Sequence, residues 1–72
     1  MQDEISAKIS AALDAQSVDV TIDGNRALIE VTSARFEGMN RVQKQQAVYA
    51  CIEDYIADGR LHAVTIKASE PD

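Results

Sequence analysis

Two short runs of alternating apolar residues meet at one turn signal, and that pairing constrains the rest of the chain. Val18, Val20 and Ile22 alternate with Asp19 and Thr21, the period of a half-buried strand. Ala27, Ile29 and Val31 alternate again beyond Asp23-Gly24-Asn25, where glycine is free to take positive φ. Residues 17–32 therefore read as a β-hairpin. Its loop is expected to be longer than two residues, and its register is left open. One face of the hairpin is apolar, and the flanking segments must cover it.

Those segments are helical in pattern. Ile5, Ile9, Ala12 and Leu13 recur at helical spacing over 3–14, with Asp3 and Glu4 at the positive end of the helix dipole. Ser33 can cap a short helical turn over 34–37, which Gly38 interrupts. Asn40 and Gln43 form a capping-box pattern that opens the longest helix. Along it Val42, Gln45, Val48, Tyr49, Ile52, Tyr55 and Ile56 make one stripe, and Asp58-Gly59 ends it. Val42, Val48, Ile52 and Ile56 are expected to be buried against Val20, Ile29 and Val64.

Leu61 to Lys67 reads as the last strand. His62, Val64 and Ile66 share the face beside the helices, and Leu61, Ala63 and Thr65 take the other. Ala68 to Asp72 is a polar tail in which Pro71 prevents further pairing. The order is α-β-β-α-α-β, an α+β domain over residues 1–72. The hairpin is antiparallel, and the long helical connection allows a crossover that sets the second and third strands parallel. The expected sheet is three-stranded and mixed, with helices on one face.

A chain of 72 residues makes one domain. No apolar run approaches the roughly 20 residues needed to cross a bilayer. The acidic start Met1-Gln2-Asp3-Glu4 is neither a secretory signal nor a basic transit peptide. With Cys51 the lone cysteine, a reducing cytoplasm is the expected location. The net charge of −5 argues against a generic nucleic-acid binder. Arg35, Arg41 and Lys44 nevertheless face only Glu37 within 35–44. That surplus reads as a solvated face, or else as a docking or nucleic-acid patch.

Catalytic patterns are missing. There is no Walker A loop, GxGxxG, CxxC or HExxH. Cys51 and His62 have no evident third group to orient them, and the adjacent Glu53 and Asp54 diverge on a helix. No enzyme is expected, and Cys51 reads as a packed, inert thiol. His62 has two readings. It is a partly buried, hydrogen-bonded histidine at a strand start, or a metal ligand completed by another protein, since one imidazole cannot hold a metal alone.

Phe36-Glu37-Gly38 followed by Arg41-Val42-Gln43-Lys44-Gln45-Gln46-Ala47-Val48-Tyr49 resembles the central signature of BolA-like proteins. Leu61-His62-Ala63-Val64-Thr65-Ile66-Lys67 is similar to that family's last strand, at matching separation. Gly38-Met39 and Lys44-Gln45-Gln46 are most similar to its IbaG branch. The resemblance implies a fold related to type II KH domains. It also implies a non-enzymatic adaptor in iron–sulfur cluster trafficking or iron homeostasis, sharing a glutathione-supported 2Fe–2S cluster with a monothiol glutaredoxin. His62 takes the position of the family's cluster ligand, and no cluster is expected on the chain alone. The family's second ligand, a His or Cys in the hairpin loop, is replaced by Arg26, which is not expected to ligate. Relatives usually continue past the equivalent of Glu70-Pro71 with a short segment ending in Trp.

The alternative is a nucleic-acid-binding stress or transcription regulator, with Arg35, Arg41 and Lys44 as contacts. Against it, Phe36-Glu37-Gly38-Met39 lacks the paired glycines of a GXXG phosphate clamp. A third reading is a metal-free, stress-related interaction module.

Overall fold

The turn of the hairpin is tighter than the sequence leads one to expect. In the computed structural model, which describes residues 1–71, β1 (Ser17–Asp23) and β2 (Arg26–Thr32) pair in full from Ser17↔Thr32 to Asp23↔Arg26. Only Gly24 and Asn25 remain for the loop, correcting the longer one expected. Gly24 takes φ +61° at the first turn position. Two-residue turns with positive φ there match the right-handed twist of paired strands, so a longer loop is not needed.

α1 (Gln2–Leu13) precedes the hairpin, and β3 (Ala63–Ser69) runs parallel to β2, giving the order β1-β2-β3. The mixed sheet and the α+β class are as expected. Register sorts the side chains into two faces. Ile22, Ala27 and Val64 lie in one row of the inner face, Val20, Ile29 and Ile66 in the next, and Val18, Val31 and Ala68 in the third. Ile5, Ile9 and Leu13 of α1 close over this face together with Phe36, Val48, Ile52, Tyr55 and Leu61. The opposite face carries Asp19, Glu30 and Lys67 in one row and stays exposed. Ala12, counted in the α1 stripe, is exposed too.

Between β2 and β3 the chain departs from one long helix. A 3-10 turn, η1 (Ala34–Phe36), comes first, with Ser33 Oγ accepting from the Arg35 N–H. α2 (Arg41–Tyr49) follows, opened by the full Asn40–Gln43 capping box. It stops at Ala50, and α3 (Glu53–Ala57) is a separate short helix. Cys51 N–H donates to Val48 O and Ile52 N–H to Tyr49 O, a tighter three-residue step that interrupts the α-helical ladder.

Not all of the expected stripe is buried, because within α2 Val42 and Tyr49 share an outward face while Val48 points inward. Val48, Ile52, Val20 and Ile29 are fully inside, Ile56 and Val64 are half-buried, and Val42 is 62% exposed. Val42 therefore leaves the list of core residues. The last strand is also displaced: it spans 63–69 rather than 61–67, taking in Ala68 and Ser69. Leu61 lies before the strand and is buried, its N–H donating to Tyr55 O. Parity did not reach it, because side chains alternate only within a paired strand. Asp72 of the expected tail lies outside the described residues.

Candidate functional site around His62 and the hairpin turn

Gly24-Asn25 and the start of β3 are joined by one carbonyl. Asn25 O accepts from the His62 N–H at 2.8 Å and from the Ala63 N–H at 3.3 Å. The parallel register then sets Arg26 beside Ala63. Positions 25, 26 and 62, separated in sequence by the whole crossover, thus share one end of the sheet. The Asn25 carbonyl thereby extends the parallel ladder one rung past Arg26↔Ala63.

His62 is exposed and lies outside the strand. This corrects the reading of a partly buried, side-chain-bonded histidine. Its backbone is anchored, while among the described residues no hydrogen bond holds its ring. Gly59, at φ +85°, lies alongside: a Cβ there would come 4.0 Å from His62 Nε2. A side chain there would be strained by that φ, although its Cβ would meet the imidazole only in ordinary van der Waals contact. Gly59 reads in the sequence only as a helix terminator, and its place beside His62 becomes visible only once the chain has folded back.

Arg26 is exposed at the turn. Its guanidinium has donors and no free lone pair, so it cannot ligate a metal. Among the described residues no three His, Cys, Asp or Glu side chains gather as a metal site. What this end of the sheet offers is one accessible imidazole on a fixed backbone.

Cys51 stands elsewhere, in a depression between α1 and α2 beside Lys8, Ala11 and Ala47. It is half-buried, with its Sγ 3.6 Å from Ala47 O. Burial pushes its thiol pKa up, against a smaller opposing pull from Lys8, the reverse of what an activated nucleophile requires.

The basic residues divide. Arg41 and Lys44 flank a small depression of about 170 Å³ with Ile66, Lys67 and Ala68. Arg35 is exposed on η1 and does not line it. Lys44 already pairs with Glu70 at 3.3 Å. Phe36, first of the four residues where a GXXG clamp would stand, is fully buried.

Comparison with known proteins decides the lineage. The family described as BolA-like protein matches residues 9–72. The chain belongs to the BolA-like family. Acid stress protein IbaG of Escherichia coli K12 is 46% identical over 68 residues, 94% of this chain and 81% of that protein. Among solved structures, BolA1 from Arabidopsis thaliana superposes with a TM-score of 0.88 at 23% identity, over 97% of this chain and 90% of that one. A BolA homologue from Coxiella burnetii gives 0.79 at 22%, over 100% and 92%. At those identities the structural matches speak for the fold. The BolA-like resemblance and the IbaG branch both stand.

Proposed function

We propose that this BolA-like chain is a non-enzymatic adaptor that contributes one imidazole, from His62, to a 2Fe–2S cluster shared with a monothiol glutaredoxin. The observation that carries the proposal is the anchoring of His62. Its backbone and that of Ala63 are tied to Asn25 O, while the ring projects unbonded into solvent beside Gly59. A fixed backbone with an accessible nitrogen suits a ligand donated to another protein's cofactor. The cluster is cargo, and the partner with its glutathione must supply the other ligands, because four are needed and this chain offers one.

A catalytic role has no comparable support, since Cys51 and His62 belong to different parts of the surface and burial pushes the thiol pKa up rather than down. The name of the IbaG relative supports placing this adaptor within a stress response.

The test is spectroscopic. Mixed with a cluster-loaded monothiol glutaredoxin, the chain is expected to form a heterocomplex and alter the cluster's visible spectrum as nitrogen replaces a thiolate. His62→Ala should abolish that change while the apo-proteins still associate. Arg26→His should strengthen cluster retention by adding a ligand at the turn, and Cys51→Ser should change little. An unaltered spectral shift with His62→Ala would overturn the ligand assignment.

A further inference from the structure

Beside β3 runs a groove that the cluster reading does not use. It measures about 750 Å³ and lies between the outer side of α2 and the free edge of the sheet, lined by Arg41, Val42, Tyr49, Val64 and Ile66 among others. Val42 and Tyr49 are the exposed large apolar side chains of α2, at 62% and 42%. Val64, Ile66 and Ala68, on the inner face beneath them, are half-buried, whereas their β2 neighbours Ala27, Ile29 and Val31 are fully covered.

The backbone of the edge adds an independent observation. Ala63 N–H points toward the hairpin, donating to Asn25 O, and Ser69 O points toward the end of β2, accepting from Ser33 N–H. In a strand the N–H and C=O of one residue point the same way and alternate along the chain. Ala63, Thr65, Lys67 and Ser69 therefore face β2, and Val64, Ile66 and Ala68 present their N–H and C=O groups to the open edge. Among the described residues no backbone group pairs with that edge.

We infer that this groove takes an extended peptide of a partner protein as a fourth strand against β3. Three residues of outward N–H and C=O groups at strand spacing form a ladder that another strand satisfies in full. Val42 and Tyr49 overhang it and provide apolar contact for alternate side chains of the incoming strand. Arg41, with Lys67 close by, favours an acidic residue at one position of the peptide, while Glu53 of α3, which also lines the groove, disfavours a second one beside it. A second copy is less suited, since each chain carries −5. Nucleic acid could use the cations but has no backbone ladder to match. The proposal is independent of the cluster: loss of the His62 spectral change leaves it untouched.

The probe is a labelled heptapeptide alternating valine and threonine, with one terminal aspartate, titrated against the full chain by fluorescence anisotropy. Saturable binding at sub-millimolar peptide is expected. N-methylation of one alternate set of peptide residues should abolish it, and of the other set should leave it intact. Val42→Asp, at an exposed position that leaves the core unchanged, should weaken binding at least tenfold, and Arg41→Glu should weaken the acidic peptide more than a neutral one. No saturable binding, or equal effects of the two N-methylated sets, overturns the proposal. Concentration-dependent dimerisation lost in Val42→Asp would assign the groove to a second copy. Tighter binding of single-stranded DNA, lost in Arg41→Glu, would assign it to nucleic acid.

Discussion

Glu4 and Tyr55 lie 51 positions apart and meet at one hydrogen bond, in which the Tyr55 hydroxyl donates to Glu4 Oε1. The Tyr55 ring is buried, with the Arg60 guanidinium 4.4 Å and the Lys8 ammonium 5.3 Å from its centroid, a geometry in which cations favour the ring face. The Tyr55 bond holds the Glu4 carboxyl below the usual glutamate range although desolvation opposes it, and the same bond raises the phenol. A carboxylate with a lowered folded-state pKa stabilises the fold above its unfolded value, about 4.3, and loses that contribution as pH falls through the folded value. For Tyr55 the sign reverses: its contribution is complete below about 10 and fades as pH rises through the elevated value. Urea midpoints measured from pH 7 to pH 3 are expected to fall in the wild type. Tyr55→Phe, which keeps the ring, should start lower and converge on the wild type at acid pH. Parallel curves would mean that the pair contributes nothing linked to protons.

At the scale of elements, one small residue joins four segments. Ser33 is fully buried, and its hydroxyl donates to Leu13 O at 2.6 Å and accepts from the Arg35 N–H at 3.1 Å. Its backbone N–H bonds Ser69 O. The end of α1, the start of η1 and the ends of β2 and β3 thus converge on a residue whose sequence signature is only a cap. The interruption of the long helix at Ala50–Ile52 is the other element-level feature, and it separates residues that a single stripe would treat alike. Ile52→Ala should lower stability by about 2–5 kcal/mol, because it opens a cavity in a closed core. Val42→Ala, on the same expected stripe, should change it by under about 0.5 kcal/mol, as surface substitutions do. Denaturation midpoints of the two variants check this division of the stripe. Equal shifts would mean that Val42 is as buried as Ile52.

The whole molecule has one face closed by helices and one left wet, and it carries −5. No helix among the described residues is long and apolar enough to cross a membrane. At long range the net charge opposes a polyanion, and the cationic pair of Arg41 and Lys44 is partly neutralised by Glu70, which pairs with Lys44. Binding of labelled single- or double-stranded DNA at physiological salt is therefore expected to be weak and to fall steeply as salt is raised. Anisotropy titrations at two salt concentrations measure this. A submicromolar affinity that Arg41→Ala with Lys44→Ala removes would restore the nucleic-acid reading over the adaptor.

The hairpin, the capping box at Asn40, the α-β-β-α-α-β order and the mixed sheet were legible in the residues, because alternation, helical spacing and turn chemistry are local signals. BolA-like membership was legible too, carried by Phe36-Glu37-Gly38 and the segment around His62. Other features were not. The two-residue turn depends on full pairing to Asp23↔Arg26, which only the completed ladder selects. Val42 fits the helical stripe and yet is exposed, because α2 is set on the sheet so that Val48 faces the core and Val42 with Tyr49 overhangs the edge. Leu61 and His62 read as strand residues of opposite face; in the fold one enters the core and the other reaches solvent, since alternation begins only where β3 pairs. The proximity of Asn25, Arg26 and His62 and the open ladder of Val64, Ile66 and Ala68 depend on contacts between segments more than 30 residues apart. Periodicity records how each segment divides its own faces, and only tertiary packing decides which ends of those segments meet.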